Sequence, residues 1–214
     1  LVAEILDNSM DEAVAGHASR IIVSLNEDGS VSISDNGRGI PTDPHPKYPD
    51  KSALEVIMTT LHSGGKFSSD AYATSGGLHG VGISVVNALS EWMTVEVARD
   101  RNLWRQSYAR GKTTSKLEDM GPVNNRRGTQ VSFLPDHEIF GVKAKLNPSR
   151  VYRMVRSKAY LYRGVEIRFR CAASLIDAND DTPQEATLHF PGGLADFLQD
   201  TLKKRTCVTP EPFS

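Results

Sequence analysis

Glu4 and Asn8 stand four residues apart near the start of the chain, among Asp7, Asp11 and Glu12. On a helix, positions i and i+4 project side by side. A carboxylate beside a carboxamide suits a metal–nucleotide site. The amide oxygen is a hard donor of the kind Mg2+ prefers, and the carboxylate can orient or deprotonate a water. The ordinary alternative is a solvated helix face. This arc, however, carries four acids and no lysine or arginine, so it is not built from local salt bridges.

A second set is Asp35-Asn36-Gly37-Arg38-Gly39-Ile40-Pro41. Glycines on either side of an arginine let backbone approach a flat ligand, and an aspartate there can accept a hydrogen bond from an exocyclic amine. A tight turn with an exposed acid would read the same way. A third set is Gly64-Gly65-Lys66-Phe67, then Ser75-Gly76-Gly77-Leu78-His79-Gly80-Val81-Gly82. Glycines ahead of a helix N-terminus expose consecutive N–H groups, and the helix dipole adds positive potential; together they hold phosphates. Lys66 can complement the phosphate charge. This is no Walker loop, because Phe67 follows the lysine where Ser or Thr is needed. It is no dinucleotide fingerprint either, since a long loop rather than a strand precedes it.

The elements that must position these groups are legible as well. Val2–Ala15 has helical periodicity, with Val2, Leu6, Met10 and Ala13 opposite the polar arc, and Gly16 is placed to end it. Two β-rich runs, Arg20–Leu25 and Val31–Ser34, flank the hairpin signal Asn26-Glu27-Asp28-Gly29. Pro41, Pro44, Pro46 and Pro49 mark a loop, and Ser52 caps a short helix over Ala53–Leu61. From His62 to Gly82 small polar residues and glycine dominate without periodicity, the composition of a functional lid. An apolar helix follows over Ile83–Leu89. Antiparallel strands are expected around Thr94–Arg99, Leu103–Tyr108, Thr129–Phe133 and Val165–Arg170, with helices near Arg150–Tyr162 and Leu194–Leu202. Meander strands with helices grouped between them predict an α+β two-layer sandwich in one domain over 1–214, not a doubly wound sheet.

Composition narrows the class. With 214 residues, 39% hydrophobic and 24% charged, the chain can bury one sizeable core. No apolar run approaches the roughly 20 residues that span a bilayer. A formal net charge of -1 argues against a main nucleic-acid grip. Cys171 and Cys207 are far apart and read as reduced cytosolic thiols, neither zinc site nor disulfide. Leu1 already stands in a helical pattern, so the chain reads as cut from a longer protein.

In this order, the three blocks resemble the ATPase superfamily that joins gyrase B subunits, ninety-kilodalton heat-shock chaperones, sensor histidine kinases and MutL-type mismatch-repair proteins. Within it, the resemblance to B subunits of bacterial type II DNA topoisomerases covers nearly the whole chain. Glu4 to Ala13 is similar to the family's first ATP motif and Asp35 to Pro41 to its second. Leu61–Phe67 and Ser75–Ser90 are similar to its lid and third motif, and Gly128-Thr129 to its fourth. The resemblance implies a Bergerat-type ATP-binding fold with a mixed, mainly antiparallel sheet. It implies Glu4 as general base for attack on the γ-phosphate and Asn8 as Mg2+ ligand. Asp35, with Thr129 and a water, would recognise the adenine amine, with Gly39 and Ile40 alongside and Tyr72 against the adenine. Lys66, Leu78, His79, Gly80, Val81 and Gly82 would cradle the phosphates. Glu12, Arg38, Pro41 and Arg105 would form the rim, where aminocoumarin inhibitors bind.

The implied cofactors are ATP and Mg2+, the implied location the cytoplasm. The implied partners are a second B subunit, a topoisomerase A subunit, and DNA through the holoenzyme. Ala73 and Asn36 depart from the family's usual lysine and aspartate, and the loop Thr42–Lys51 is longer than its common form. The N-terminal arm, the transducer with its γ-phosphate lysine and the TOPRIM domain are not in this sequence, so weak turnover is expected of the fragment. Pro44-His45-Pro46-Lys47-Tyr48-Pro49 and Pro210-Glu211-Pro212-Phe213 lean toward topoisomerase IV rather than gyrase. Rival readings are a chaperone or mismatch-repair clamp, a histidine kinase, and a scaffold domain without ligand.

Overall fold

Alternation along the strands sets the layers, and a computed structural model describes them over residues 1–61 and 82–202. In chain order the elements are α1 (Val2–Val14), β1 (Arg20–Leu25), β2 (Val31–Asp35), β3 (Pro44–His45), β4 (Tyr48–Ser52), α2 (Ala53–Thr59) and α3 (Gly82–Ala88). Then follow β5 (Ser90–Arg99), β6 (Asn102–Ala109), β7 (Lys112–Thr113), β8 (Glu118–Pro122), β9 (Gly128–Pro135), α4 (His137–Phe140), α5 (Pro148–Leu161), β10 (Glu166–Cys171), β11 (Glu185–Leu188) and α6 (Leu194–Leu202).

Among the described residues, nine strands form one sheet in the order β11-β10-β1-β2-β9-β5-β6-β7, with β8 paired to β6. Ile21, Val23 and Leu25 of β1 share a core with Val31 and Ile33 of β2 and Val131 and Phe133 of β9. Onto that face pack Ile5, Leu6 and Met10 of α1, Leu54 and Met58 of α2, and Val151, Val155 and Ala159 of α5. Serines occupy several of the intervening positions, Ser24, Ser32, Ser34 and Ser132 among them, and Ser32 of β2 and Ser132 of β9 are hydrogen-bonded at 2.9 Å. One helical layer over one sheet is the two-layer sandwich the sequence predicts.

Local chemistry sets the helix ends. Ser52 Oγ accepts from the Glu55 N–H at 3.0 Å and caps α2 as expected. Asn147 Oδ1 accepts from the Arg150 N–H at 2.8 Å, with Pro148 opening α5.

Two expectations need correction. The proline-rich stretch is not all loop: β3 and β4 pair there as a small antiparallel hairpin. A two-stranded ribbon leaves outward edges on which proline costs no ladder hydrogen bond. β10 is antiparallel to β11 but parallel to β1, because its connection from β1 runs through much of the chain rather than a tight turn. Cys171 is a buried free thiol whose pKa burial raises, and Cys207 lies outside the described residues. No helix among the described residues is long and apolar enough to cross a membrane.

Candidate functional site

α1 buries Val2, Ile5, Leu6, Ser9 and Met10, which turns Glu4 and Asn8 to the exposed side one turn apart. The acids of the arc are not alike. Asp7 pairs with Lys158 of α5 at 2.6 Å, and Glu12 pairs with Arg38 at 2.7 Å. The arc therefore does carry ion pairs, formed across the fold where no helical spacing reveals them.

Asp35 ends β2 on the helix-covered face, two positions beyond Ile33. Its Oδ1 accepts from the N–H of Gly37 at 2.8 Å and of Thr129 at 3.3 Å. Its Oδ2 accepts from the Ser9 hydroxyl at 3.2 Å. Burial pushes the Asp35 carboxyl up to about 6; the three hydrogen bonds oppose that rise and the Glu12 charge adds to it. These partners are neutral donors, the surroundings of a carboxylate kept to accept a hydrogen bond rather than to hold a cation.

The close approach of β9 to this carboxylate requires Gly128. A Cβ there would overlap the Asp35 carbonyl oxygen, and its φ of 106° lies outside the range of L side chains. Thr129 Oγ1 in turn accepts from the Ile40 N–H at 3.1 Å, fixing the glycine turn against the sheet. Glu12 grips Arg38 by Nη2 at 2.7 Å, Nε at 3.2 Å and its backbone N–H at 3.0 Å. Burial alone would raise the Glu12 carboxyl, but the Arg38 contacts outweigh it and hold it below its usual value. Gly82, the first residue of α3, lies so close to Glu4 that a Cβ would overlap the carboxylate Oε2. Thus Glu4, Asn8, Glu12, Asp35, Arg38, Gly39, Ile40, Pro41, Gly82 and Thr129 come from α1, α3, β9, the end of β2 and the turn that follows it. Lys66, Tyr72, Leu78, His79, Gly80 and Val81 lie outside the described residues, as do Ala73 and Pro210–Phe213.

Arg105 is the exception among the rim residues. It stands opposite Glu96 in the β5–β6 register, and β5 buries Val95 and Val97 on the core side, so Glu96 and Arg105 share the other face. There Glu96 holds Arg105 and Arg126; burial would raise its carboxyl, and the two guanidiniums bring it below the usual range. Arg99 instead reaches the glycine turn that holds Arg38, its Nη1 donating to the Gly39 carbonyl at 3.0 Å. Counting by twos from Val95 through Val97 would have found it. Ser9 was also missed; its signal was a small polar residue one turn beyond Ile5 on the apolar side of α1. A groove of about 590 Å3 has Asp35, Asn36 and Thr129 in its lining together with Arg20, Ile22 and Arg126, while Glu4 and Asn8 are not among its walls. Asn36 binds the chain at this groove, its Oδ1 accepting from the N–H groups of Ser19 and Arg20. A carboxylate could accept those two bonds, but the Asn36 Nδ2 also donates to the Ser19 hydroxyl at 3.0 Å, which an aspartate could match only if that hydroxyl turned to donate.

Residues 1–139 match the family of histidine kinase-, DNA gyrase B- and HSP90-like ATPases. The chain is similar to the B subunit of DNA topoisomerase 4 from Caulobacter vibrioides, 58% identical over 100% of this chain and 30% of that protein. Its counterpart from Rickettsia bellii is 54% identical over 100% of this chain and 32% of that protein. The DNA gyrase B subunit of Thermotoga maritima is 46% identical over 93% of this chain and 30% of that protein. Among solved structures, the 43K ATPase domain of Thermus thermophilus gyrase B, in complex with an aminocoumarin, superposes with a TM-score of 0.81. It is 40% identical, with 99% of this chain and 51% of that one covered. The chain thus spans about a third of the length of the curated relatives it matches.

Proposed function

We infer that this chain, which belongs to the histidine kinase-, DNA gyrase B- and HSP90-like ATPase family, binds and hydrolyses ATP as part of the B subunit of a bacterial type II DNA topoisomerase. The observation that carries this reading is the Asp35 carboxylate, held by neutral donors beneath a helix that exposes Glu4 and Asn8. Such an acceptor suits the exocyclic amine of adenine, with Thr129 beside it. Higher identity to the topoisomerase 4 proteins than to the gyrase protein supports the topoisomerase IV branch. The aminocoumarin on the superposed domain supports inhibitor binding at the Glu12–Arg38 rim, with Pro41 beside it.

Glu4 would take the proton of the attacking water, and its exposed carboxylate can reach one. The Asn8 amide oxygen would hold a magnesium ion, which would supply positive charge against the phosphates of the nucleotide. This fit rests on Asn8 alone, since no cluster of three His, Cys, Asp or Glu gathers for a metal among the described residues. In the intact protein, nucleotide would close the His62–Gly82 segment and bring two B subunits together, with the A subunit, around a passing DNA segment.

Two results test these roles. Gly82→Ala should displace the Glu4 carboxylate and cut ATP turnover of the full-length protein by about 10²-fold, because misplacement by an ångström costs that much. Undiminished turnover would mean that the Glu4 carboxylate yields to the added methyl without leaving its working position. Arg105→Ala should leave aminocoumarin affinity within about twofold, whereas Arg99→Ala weakens it by about tenfold, the loss of one charge-assisted contact. The reverse order in a calorimetric titration would return Arg105 to the rim.

A further inference from the structure

The two oxygens of Asp35 have different duties. Oδ1 takes two backbone N–H groups, from Gly37 and Thr129, both fixed by the fold. Oδ2 takes a side chain, the hydroxyl of Ser9, which is 4% exposed and held in place by the packing of α1. A proton added to Asp35 would go to Oδ2, because Oδ1 already faces two donors. An ionised Oδ2 accepts from an amine; a protonated one donates to a carbonyl.

We propose that the Ser9 hydroxyl keeps Asp35 a hydrogen-bond acceptor and so makes Ser9 a positioning residue that sets the pocket's preference for a base with an exocyclic amine over one with a carbonyl. The proposal rests on the reading of Asp35 as the base-recognising group. It has force here because burial leaves the Asp35 carboxyl near 6, close to working pH, so one donor more or less decides its state. The charges beside it among the described residues are Glu12 and Arg38, a pair already clamped to each other. β9 presents Thr129 and β1 presents Ile21 opposite Asp35, and neither titrates. Among the described residues, Ser9 is thus the side-chain donor to Asp35, and it can be changed without touching the backbone.

The test uses the full-length protein and non-hydrolysable analogues of ATP and inosine triphosphate, titrated calorimetrically between about pH 6 and 8. The two bases differ at C6, amine against carbonyl. In Ser9→Ala the preference for the adenine analogue should fall about tenfold near pH 6.5 and recover toward pH 8, while Ser9→Thr, which keeps the hydroxyl, holds the wild-type ratio. In the ligand-free protein, a 13C titration of the Asp35 carboxyl, assigned with Asp35→Asn, should move upward by about one unit in Ser9→Ala. A wild type that binds both analogues alike would overturn the base-recognition reading itself. An unchanged ratio and an unchanged carboxyl titration in Ser9→Ala, in a wild type that does discriminate, would overturn the proposal alone.

Discussion

Asp35→Asn should weaken binding of a non-hydrolysable ATP analogue to the full-length protein by about 10²–10³-fold. A site built to pair with a ligand N–H loses that bond and also presents an amide donor to it, so a buried mismatch replaces a match. The same substitution should make the ligand-free protein more stable at neutral pH. The carboxyl stands near 6 in the folded protein against an ordinary 3.8, so its ionisation opposes folding above about pH 6. That opposition fades as the pH falls from about 6 toward 4, where the group is protonated in both states. At 1.36 kcal/mol for each unit, the gain at neutral pH is at most about 3 kcal/mol, and solvent at the pocket mouth reduces it. Thermal unfolding at about pH 7.5 and pH 4 should show the variant ahead at the first and level at the second. Stability given up for a recognition group would explain why an aspartate stands at this place. Equal melting at both values would remove that explanation.

Glu4→Ala should do the opposite in kind. Analogue affinity should stay within about twofold, and turnover of the full-length protein should fall by about 10²–10⁴-fold, the range for a lost general base. Glu4 is exposed, so its removal leaves no cavity and no orphaned partner in the core. A matching loss of affinity would mean that the carboxylate serves binding rather than water activation. The contrast with Asp35→Asn separates recognition from chemistry within one pocket.

Much of the fold is legible along the chain wherever one residue's neighbours decide its state. The α1 helix, the Asn26–Gly29 hairpin, the Ser52 cap and the Leu194–Leu202 helix follow from periodicity and turn chemistry, and the structure has them. What could not be read depends on distant partners. The parallel seat of β10 beside β1 joins residues 146 positions apart, such as Arg20 and Glu166. No local pattern reports it. The pairing of Asp7 with Lys158 is equally remote. Arg105 shows the other source of error. A motif resemblance can name an arginine on the right pair of strands yet choose the wrong face, since one residue of register reverses every side chain. Val95 and Val97 carried the signal for Arg99, and strand alternation outweighs a position assigned by resemblance. Glu4, Asn8, Glu12 and Asp35, the groups proposed for the site, stand out in the sequence because acids and amides at helical spacing or after a strand are unusual. Ser9 does not, because a serine on an apolar arc gains meaning only when the strand beneath it is known.

Recognition of ATP through Asp35 is tested most directly by calorimetric titration of the intact protein with a non-hydrolysable ATP analogue and Mg2+, repeated with an aminocoumarin present. Each ligand should bind, each should exclude the other, and Asp35→Asn should lose both. Nucleotide binding that persists undiminished in Asp35→Asn, or binding of neither ligand by the wild type, would refute that role for the pocket.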